Sequence, residues 1–309
     1  MTNIVSAELG GEPRPTADGK AAGSGEPEIK ATKQWTDIRK RFVKNRLAVV
    51  GLGLVALLFL TAILAPLIAP HDPYEQDLTN TLADPSGDHW AGTDALGRDV
   101  FSRVIYGARI AVIVGLASML LATVLGIILG ALAGYFGRGV DSLIMRIADI
   151  FFAFPLLVGA IVIILLTGRG VLPVVLSLAL FGWATISRLL RSSILSVREA
   201  DYVMAAKALG AGTRRILLRH VLPNSIAPVL IFATTSVGIS VVAEASLSFL
   251  GVGVSPDTPE WGTMISASRD FVGVNDIFWA VPSAAVVLSC LGFVFVGDGL
   301  RDALDPKLR

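Results

Sequence analysis

The stretch SVREADYVMAAKALGAGTRRILLRHVLPNS, residues 196–225, decides how the rest of the chain is read. Ser196 followed by Glu199 has capping-box spacing, in which each side chain satisfies the other residue's backbone N–H and a helix begins. Residues 201–209 favour helix, and Ala205, Ala206 and Ala208 keep part of it slim. Gly210 stops that helix, as glycine does just past a helix end. Thr213 is placed to cap a second helix over 214–222, which Pro223 closes. Arg198, Lys207, Arg214, Arg215 and Arg219 make the whole element basic. The sequence thus predicts a short helix, a tight turn and a basic helix, set between two long apolar blocks.

Those flanking blocks are two of six. They cover residues 47–69, 110–136, 150–167, 171–190, 225–250 and 278–300, each near the roughly 20 residues a helix needs to cross a bilayer. Hydrophobic residues make up 53% of the 309 and charged residues 17%, below the roughly 25% charged of a soluble domain. In lipid, backbone polar groups can be satisfied only within helices or closed barrels. The blocks lack the alternation of barrel strands. The fold class expected is an all-α polytopic membrane protein with six transmembrane helices and the lipid bilayer as solvent.

Charge sets the orientation. Lys33, Arg39, Lys40, Arg41, Lys44 and Arg46 precede the first span, and Arg301, Lys307 and Arg309 follow the last. Placing these and the basic element on one side satisfies the positive-inside rule. Both termini are then cytoplasmic, and the acidic loop over residues 70–109 faces out. Residues 1–34 are rich in Gly, Pro, Glu, Ala and Lys and are expected to form a disordered cytoplasmic tail. No cleavable signal peptide is read in them. The net charge of +1 gives no reason to expect nucleic acid as a partner. Cys290, the lone cysteine, reads as a small packing residue.

The basic element resembles the EAA loop of ABC importer permeases, whose pattern is Glu-Ala-Ala, three residues, Gly, nine residues, then Ile-x-Leu-Pro. Ala205, Ala206, Gly210, Leu222 and Pro223 stand at matching positions, while Met204 replaces the Glu and His220 the Ile. GTDALGRDVFSRVIYGARI (92–110), EASLSFLGVGVSPDTPEWGTMI (244–265) and RHVLPN (219–224) resemble segments of the C-type permeases of dipeptide and oligopeptide importers. The likeness runs from about residue 35 to the end. It implies a type I ABC importer permease fold over 35–309, with 196–223 as the cytoplasmic loop that couples to an ATPase. It also implies a homologous permease as pore partner, two cytoplasmic ABC ATPase subunits, and an extracytoplasmic peptide-binding protein. The chain has no G-x-x-x-x-G-K-[ST] phosphate loop. ATP and Mg are therefore expected on the partner ATPases, with no cofactor and no catalytic residues here. Nickel or glutathione uptake by the same family is the alternative reading, and a stand-alone secondary transporter is the more remote one.

Several residues carry narrower expectations. Glu244, within the fifth block near Ser240, Ser246 and Ser248, either lines the peptide path or bonds backbone groups near the outer interface, since a carboxylate at membrane depth must face polar company. Pro256, Pro259, Glu260, Trp261 and Gly262 read as a non-helical outer stretch. Glu244 and Trp261 are the candidate pathway or gate residues. Gly126, Gly130 and Gly134 share a helix face, for packing within the chain or against a partner subunit. Arg146 with Asp149, and Asp298 with Arg301, are spaced to pair along a helix. His220 reads as an interface residue. His71 and His89 stand too far apart to read as a metal pair, and Asp72 beside His71 does not complete one, so no metal is assigned.

Overall fold

A computed structural model describes residues 31–304, and within them regular structure is helical apart from one isolated bridge between Thr93 and Asp99. The expected disordered tail lies outside the described residues except for its last four positions, which open the amphipathic helix α1, Ala31–Lys44. Asn45 separates α1 from α2, Arg46–Ile68. Its side-chain oxygen accepts from the N–H groups of Leu47 and Ala48, and its Nδ2 donates to Asp302 at 2.9 Å. That bond ties the entry of the first span to the end of the last.

Among the described residues five helices are long and apolar enough to cross a membrane: α2, α3 (Val100–Phe136), α6 (Val171–Val197), α10 (Ala227–Phe249) and α12 (Asp276–Leu304). The remaining apolar stretch is a bent pair, α4 (Arg138–Ala153) and α5 (Leu156–Thr167), meeting at 92°, the geometry of a broken span or a re-entrant loop. This corrects the single straight span expected over 150–167. Twelve residues reach only about 18 Å at 1.5 Å each, well short of a hydrocarbon core of roughly 30 Å. The break follows from Pro155, which removes a helix donor and drives the residue before it out of the helical region. Phe154 accordingly sits at φ −103°, ψ 134°.

The second span also departs from expectation. It begins at Val100, so the outer loop stops at Asp99 rather than Arg109, and the helix runs for 37 residues. Asp99 caps it by accepting from the Ser102 N–H at 2.7 Å. The long α3 forms the middle of the bundle, with α2, α6 and α10 against it. Gly126, Gly130 and Gly134 bring α6 so near that a Cβ on Gly130 would lie 2.6 Å from the Ser187 carbonyl oxygen. The glycine face thus serves packing within this chain. Small residues govern close helix approach in lipid because no hydrophobic gain drives one helix onto another there. Gly51 meets α12 and Gly238 meets Cys290 in the same way.

Ion pairs lock one end of this bundle. Arg191 forms a bidentate pair with Asp141, Arg188 reaches Asp149 at 2.5 Å, and Arg198 Nη1 donates to the Gly134 carbonyl at 2.9 Å. Asp149 therefore pairs across helices, not with Arg146 along its own. Among the described residues no ion pair joins Asp298 to Arg301.

Candidate functional site

At the locked, basic end, α6 runs to Val197, so Ser196 is inside it and the expected capping box does not form. A new helix, α7 (Asp201–Ala208), starts after Ala200 with no side-chain cap. Its end matches the sequence reading closely. Gly210 has φ +81°, the Ala211 N–H donates to the Ala206 carbonyl, and the Gly210 N–H donates to that of Lys207. This is a Schellman cap, which satisfies the last carbonyls of the helix and needs a residue at ease with positive φ. Only Val203 of α7 is buried, in the main core. Ala205 is exposed and Ala206 half-buried. Tyr202, Met204 and Leu209 also face solvent, Leu209 at 89% exposure.

The basic helix that follows is continuous but irregular. It passes from α8 (Thr213–Ile216) through a π turn (Leu217–Val221) into α9 (Leu222–Ser225). Thr213 is its first helical residue, with no side-chain cap bond at Gly212 before it, so the expected threonine cap is absent. Pro223 does not close the segment. It lies inside, and the π turn before it widens the helix where proline would otherwise clash with the preceding turn. Ile216 and Val221 are buried, Leu222 is half-buried and Pro223 exposed. His220 is half-buried on this basic helix.

A crevice of about 310 Å³ lies further along the bundle. The α4–α5 break lines it with Phe151, Phe152 and Phe154, α6 with Phe181 and Thr185, and α10 with Phe232, Ser236 and Ser240. Glu244 does not line it. That side chain is 1% exposed and points to the acidic end, where the Ser248 hydroxyl donates to its Oε1 at 3.0 Å. Glu260, also 1% exposed, is its neighbour there.

Glu260 is also the N-cap of α11, Trp261–Ser268, accepting from the Gly262 N–H at 2.5 Å and the Thr263 N–H at 2.8 Å. Burial still pushes its carboxyl above the ordinary carboxylate range, against the pull of those donors. Trp261 and Gly262 thus open a helix, where a non-helical stretch was expected. Trp261 is 3% exposed, its indole N–H donates to the Val104 carbonyl at 2.9 Å, and its ring presses on Gly107. It braces α11 against α3 and offers no surface to another protein.

The loop before α3 holds a polar knot. Thr93 Oγ1 donates to the Asn80 carbonyl and accepts from the Ala83 N–H. Asp94 accepts from Arg98 Nε at 2.6 Å and from the N–H groups of Leu96 and Arg98. Arg103, fully buried, donates to the Pro73 carbonyl at 2.9 Å. This folding-back brings His71 and His89 together, with ring centroids 4.7 Å apart beside Asp99. They are thus neighbours in space although 18 positions apart in sequence.

Comparison with known proteins accords with this geometry. Residues 126–309 match the family model of the binding-protein-dependent transport system inner membrane component. Residues 33–85 match the N-terminal TM domain of oligopeptide transport permease C. The dipeptide transport system permease protein DppC of Alkalihalophilus pseudofirmus is 42% identical over 92% of this chain and 93% of its own. The oligopeptide transport system permease protein OppC of Bacillus subtilis is 39% identical over 94% and 96%. The glutathione transport system permease protein GsiD of Pectobacterium atrosepticum is 39% identical over 89% and 92%. The fold is shared with the MetNI methionine ABC transporter (TM-score 0.55, 18% identity, 66% of this chain and 97% of that one). It is shared too with an amino acid ABC transporter (TM-score 0.51, 14% identity, 64% and 92%). With its long apolar helices and its helical loop at the basic end, the chain belongs to the binding-protein-dependent transport system inner membrane components, multi-pass permeases of the inner membrane.

Proposed function

We propose that this permease forms, with a homologous permease, a path for peptides across the inner membrane, and that ATPase subunits drive it by docking on residues 201–219. One observation carries the reading. The loop offers a small, solvent-facing helix side at Ala205, yet the same helix is anchored through Val203 and joined to α6 by a short turn hydrogen-bonded at Arg198 and Ala200. A helix enters a protein groove through small residues. Movement of such a groove would pass along α7 into α6, which ion pairs hold to α4 and an Arg198–Gly134 hydrogen bond holds to α3. The exposed Tyr202, Met204 and Leu209 supply apolar contact, and Lys207, Arg214, Arg215 and Arg219 supply charge around it. ATP and Mg belong to the ATPases, and peptide is delivered by an extracytoplasmic binding protein. The aromatic crevice with Ser236, Ser240 and Thr185 is the part of the surface suited to face the path. The names of the relatives favour di- and oligopeptides, and glutathione, itself a small peptide, is the second reading.

The test is Ala205→Glu. The substitution lies on an exposed position and should leave insertion and thermal stability within about 0.5 kcal/mol. Co-purification of the ATPases, or peptide-stimulated ATP turnover in proteoliposomes, should fall at least about tenfold, the effect of some 1.4 kcal/mol at an interface. Wild-type values for both would remove the coupling role.

This reading places the basic end in the cytoplasm. In a Cys290→Ala background, a cysteine at Asp84 should react with an impermeant thiol reagent on intact cells and one at Lys207 should not. The reverse pattern would invert the topology.

A further inference from the structure

We propose that His71, His89 and Asp99 bind a divalent transition-metal ion of the zinc class, clipping together the start, middle and end of the outer segment. The three ligand atoms lie within 4.8 Å of one another. Nδ1 of His89 is 3.0 Å from Asp99 Oδ1, and Nδ1 of His71 is 3.9 Å from Asp99 Oδ2. Two ligands bound to zinc at 2.0–2.1 Å in a tetrahedron are about 3.3 Å apart, between those two values. Small rotations of the imidazoles would complete the set.

A histidine–aspartate hydrogen bond accounts for His89 but not for His71. The Nδ1 of His71 is buried and has no hydrogen-bond partner, and an unsatisfied buried polar atom is costly. Its backbone is fixed by the bond from its N–H to Ser102 Oγ at 3.1 Å, so the ring is held beside Asp99. No arginine competes for the Asp99 carboxylate, because Arg98 is matched by Asp94 at 2.6 Å, and the capping oxygen of Asp99 keeps a second lone pair beside the Ser102 N–H. Asp99 is 2% exposed, and its charge offsets the positive end of α3 that it caps. Two imidazoles and one carboxylate suit zinc, cobalt or nickel better than magnesium or calcium, which prefer oxygen ligands. The fourth position is left for water. Metal here would close the loop from residue 71 to residue 99 and stabilise the cap over α3. None of this depends on what the permease carries.

The experiment uses the full chain, purified in detergent without a polyhistidine tag, stripped with chelator and titrated with Zn²⁺ against a chromogenic competitor. About one ion should bind per chain, and it should raise the melting temperature. His71→Gln and His89→Gln should each weaken binding by about tenfold or more, whereas His220→Gln should leave it unchanged. Asp99→Asn keeps a capping oxygen for the Ser102 N–H and should weaken the metal alone. X-ray absorption on the wild-type chain loaded with Zn²⁺ or Co²⁺ should show two imidazole ligands, a readout that holds even where a variant fails to fold. Absence of binding, binding that survives loss of both histidines, or a spectrum without imidazole would overturn the site.

Discussion

Gly210 at the basic end and Gly97 at the acidic end share a backbone conformation, with φ +81° and +72°, but not a neighbourhood. Nothing lies within 4 Å of the place where a Cβ on Gly210 would be, whereas a Cβ on Gly97 would sit 1.8 Å from the Asp77 carbonyl oxygen. The first glycine ends a helix in open solvent. The second lets two distant parts of a loop touch. A glycine needed only for its own dihedral angles is a local feature. One needed also for contact makes the tertiary structure possible.

The most severe way to break this comparison is to add the same methyl group at both places. Gly97→Ala should lose the left-handed preference, about 1–2 kcal/mol, and must also move the Asp77 backbone, a further 1–3 kcal/mol or so. Gly210→Ala should lose only the first amount. Thermal unfolding in detergent would show the Gly97 variant melting well below the Gly210 variant. Equal shifts would mean that the loop around Asp77 yields freely and that the knot does not hold the cap.

The two ends also treat carboxylates differently. At the basic end Asp141 and Asp149 each meet an arginine. At the other, Glu244 and Glu260 meet each other. Burial raises the Glu260 carboxyl above the ordinary range, so the folded chain keeps a proton that the unfolded chain gives up. Stability is therefore fullest in acid. It declines as pH rises from the ordinary carboxylate range towards the raised folded value, and is flat above it. Melting temperatures across that window should show the decline, and Glu260→Gln, which removes one carboxyl of the pair, should make it shallower. A variant with the wild-type slope would place the dependence on other residues.

What was legible in the sequence follows the same division. The α7 cap could be read because all its parts lie between Ala206 and Ala211, and one glycine between a helix former and a loop is enough to signal it. The apolar blocks of α2, α6, α10 and α12 were legible for a similar reason, since the bilayer imposes one length on them. The α4–α5 bend was missed although Phe154-Pro155 carries its local signal, because hydropathy ignores a break between two apolar halves. The first ten residues of α3 were missed because Arg103 and Arg109 look like loop residues when their partners are unknown. Arg103 finds the Pro73 carbonyl 30 positions earlier. The Glu244–Glu260 and His71–His89 approaches are likewise products of the folded loops, and no spacing along the chain could have announced them. For Thr213 and the Ser196–Glu199 pair, local capping signals were present but tertiary context extended α6 and α8 through them.

The smallest expected effect sharpens the view of the basic end. Met204 stands where the family pattern has Glu, and it is 58% exposed on α7, beside Tyr202 and Ala205. Its side chain makes no contact whose loss would unfold the chain, so Met204→Glu should change stability by no more than about 0.5 kcal/mol. A salt bridge through this position cannot operate in the natural chain, since methionine carries no charge. Restoring Glu should therefore leave ATPase co-purification and peptide-stimulated turnover near wild type. A normal melting temperature with a large loss of both would carry a specific meaning. The partner groove would then be apolar around Met204, matched to the exposed Tyr202 and Leu209 flanking it, and burying an unpaired carboxylate there would account for the loss. Loss of stability as well would instead place Met204 in the packing of this chain, against its exposure, and would break the distinction between an end built for docking and an end built around its own contacts.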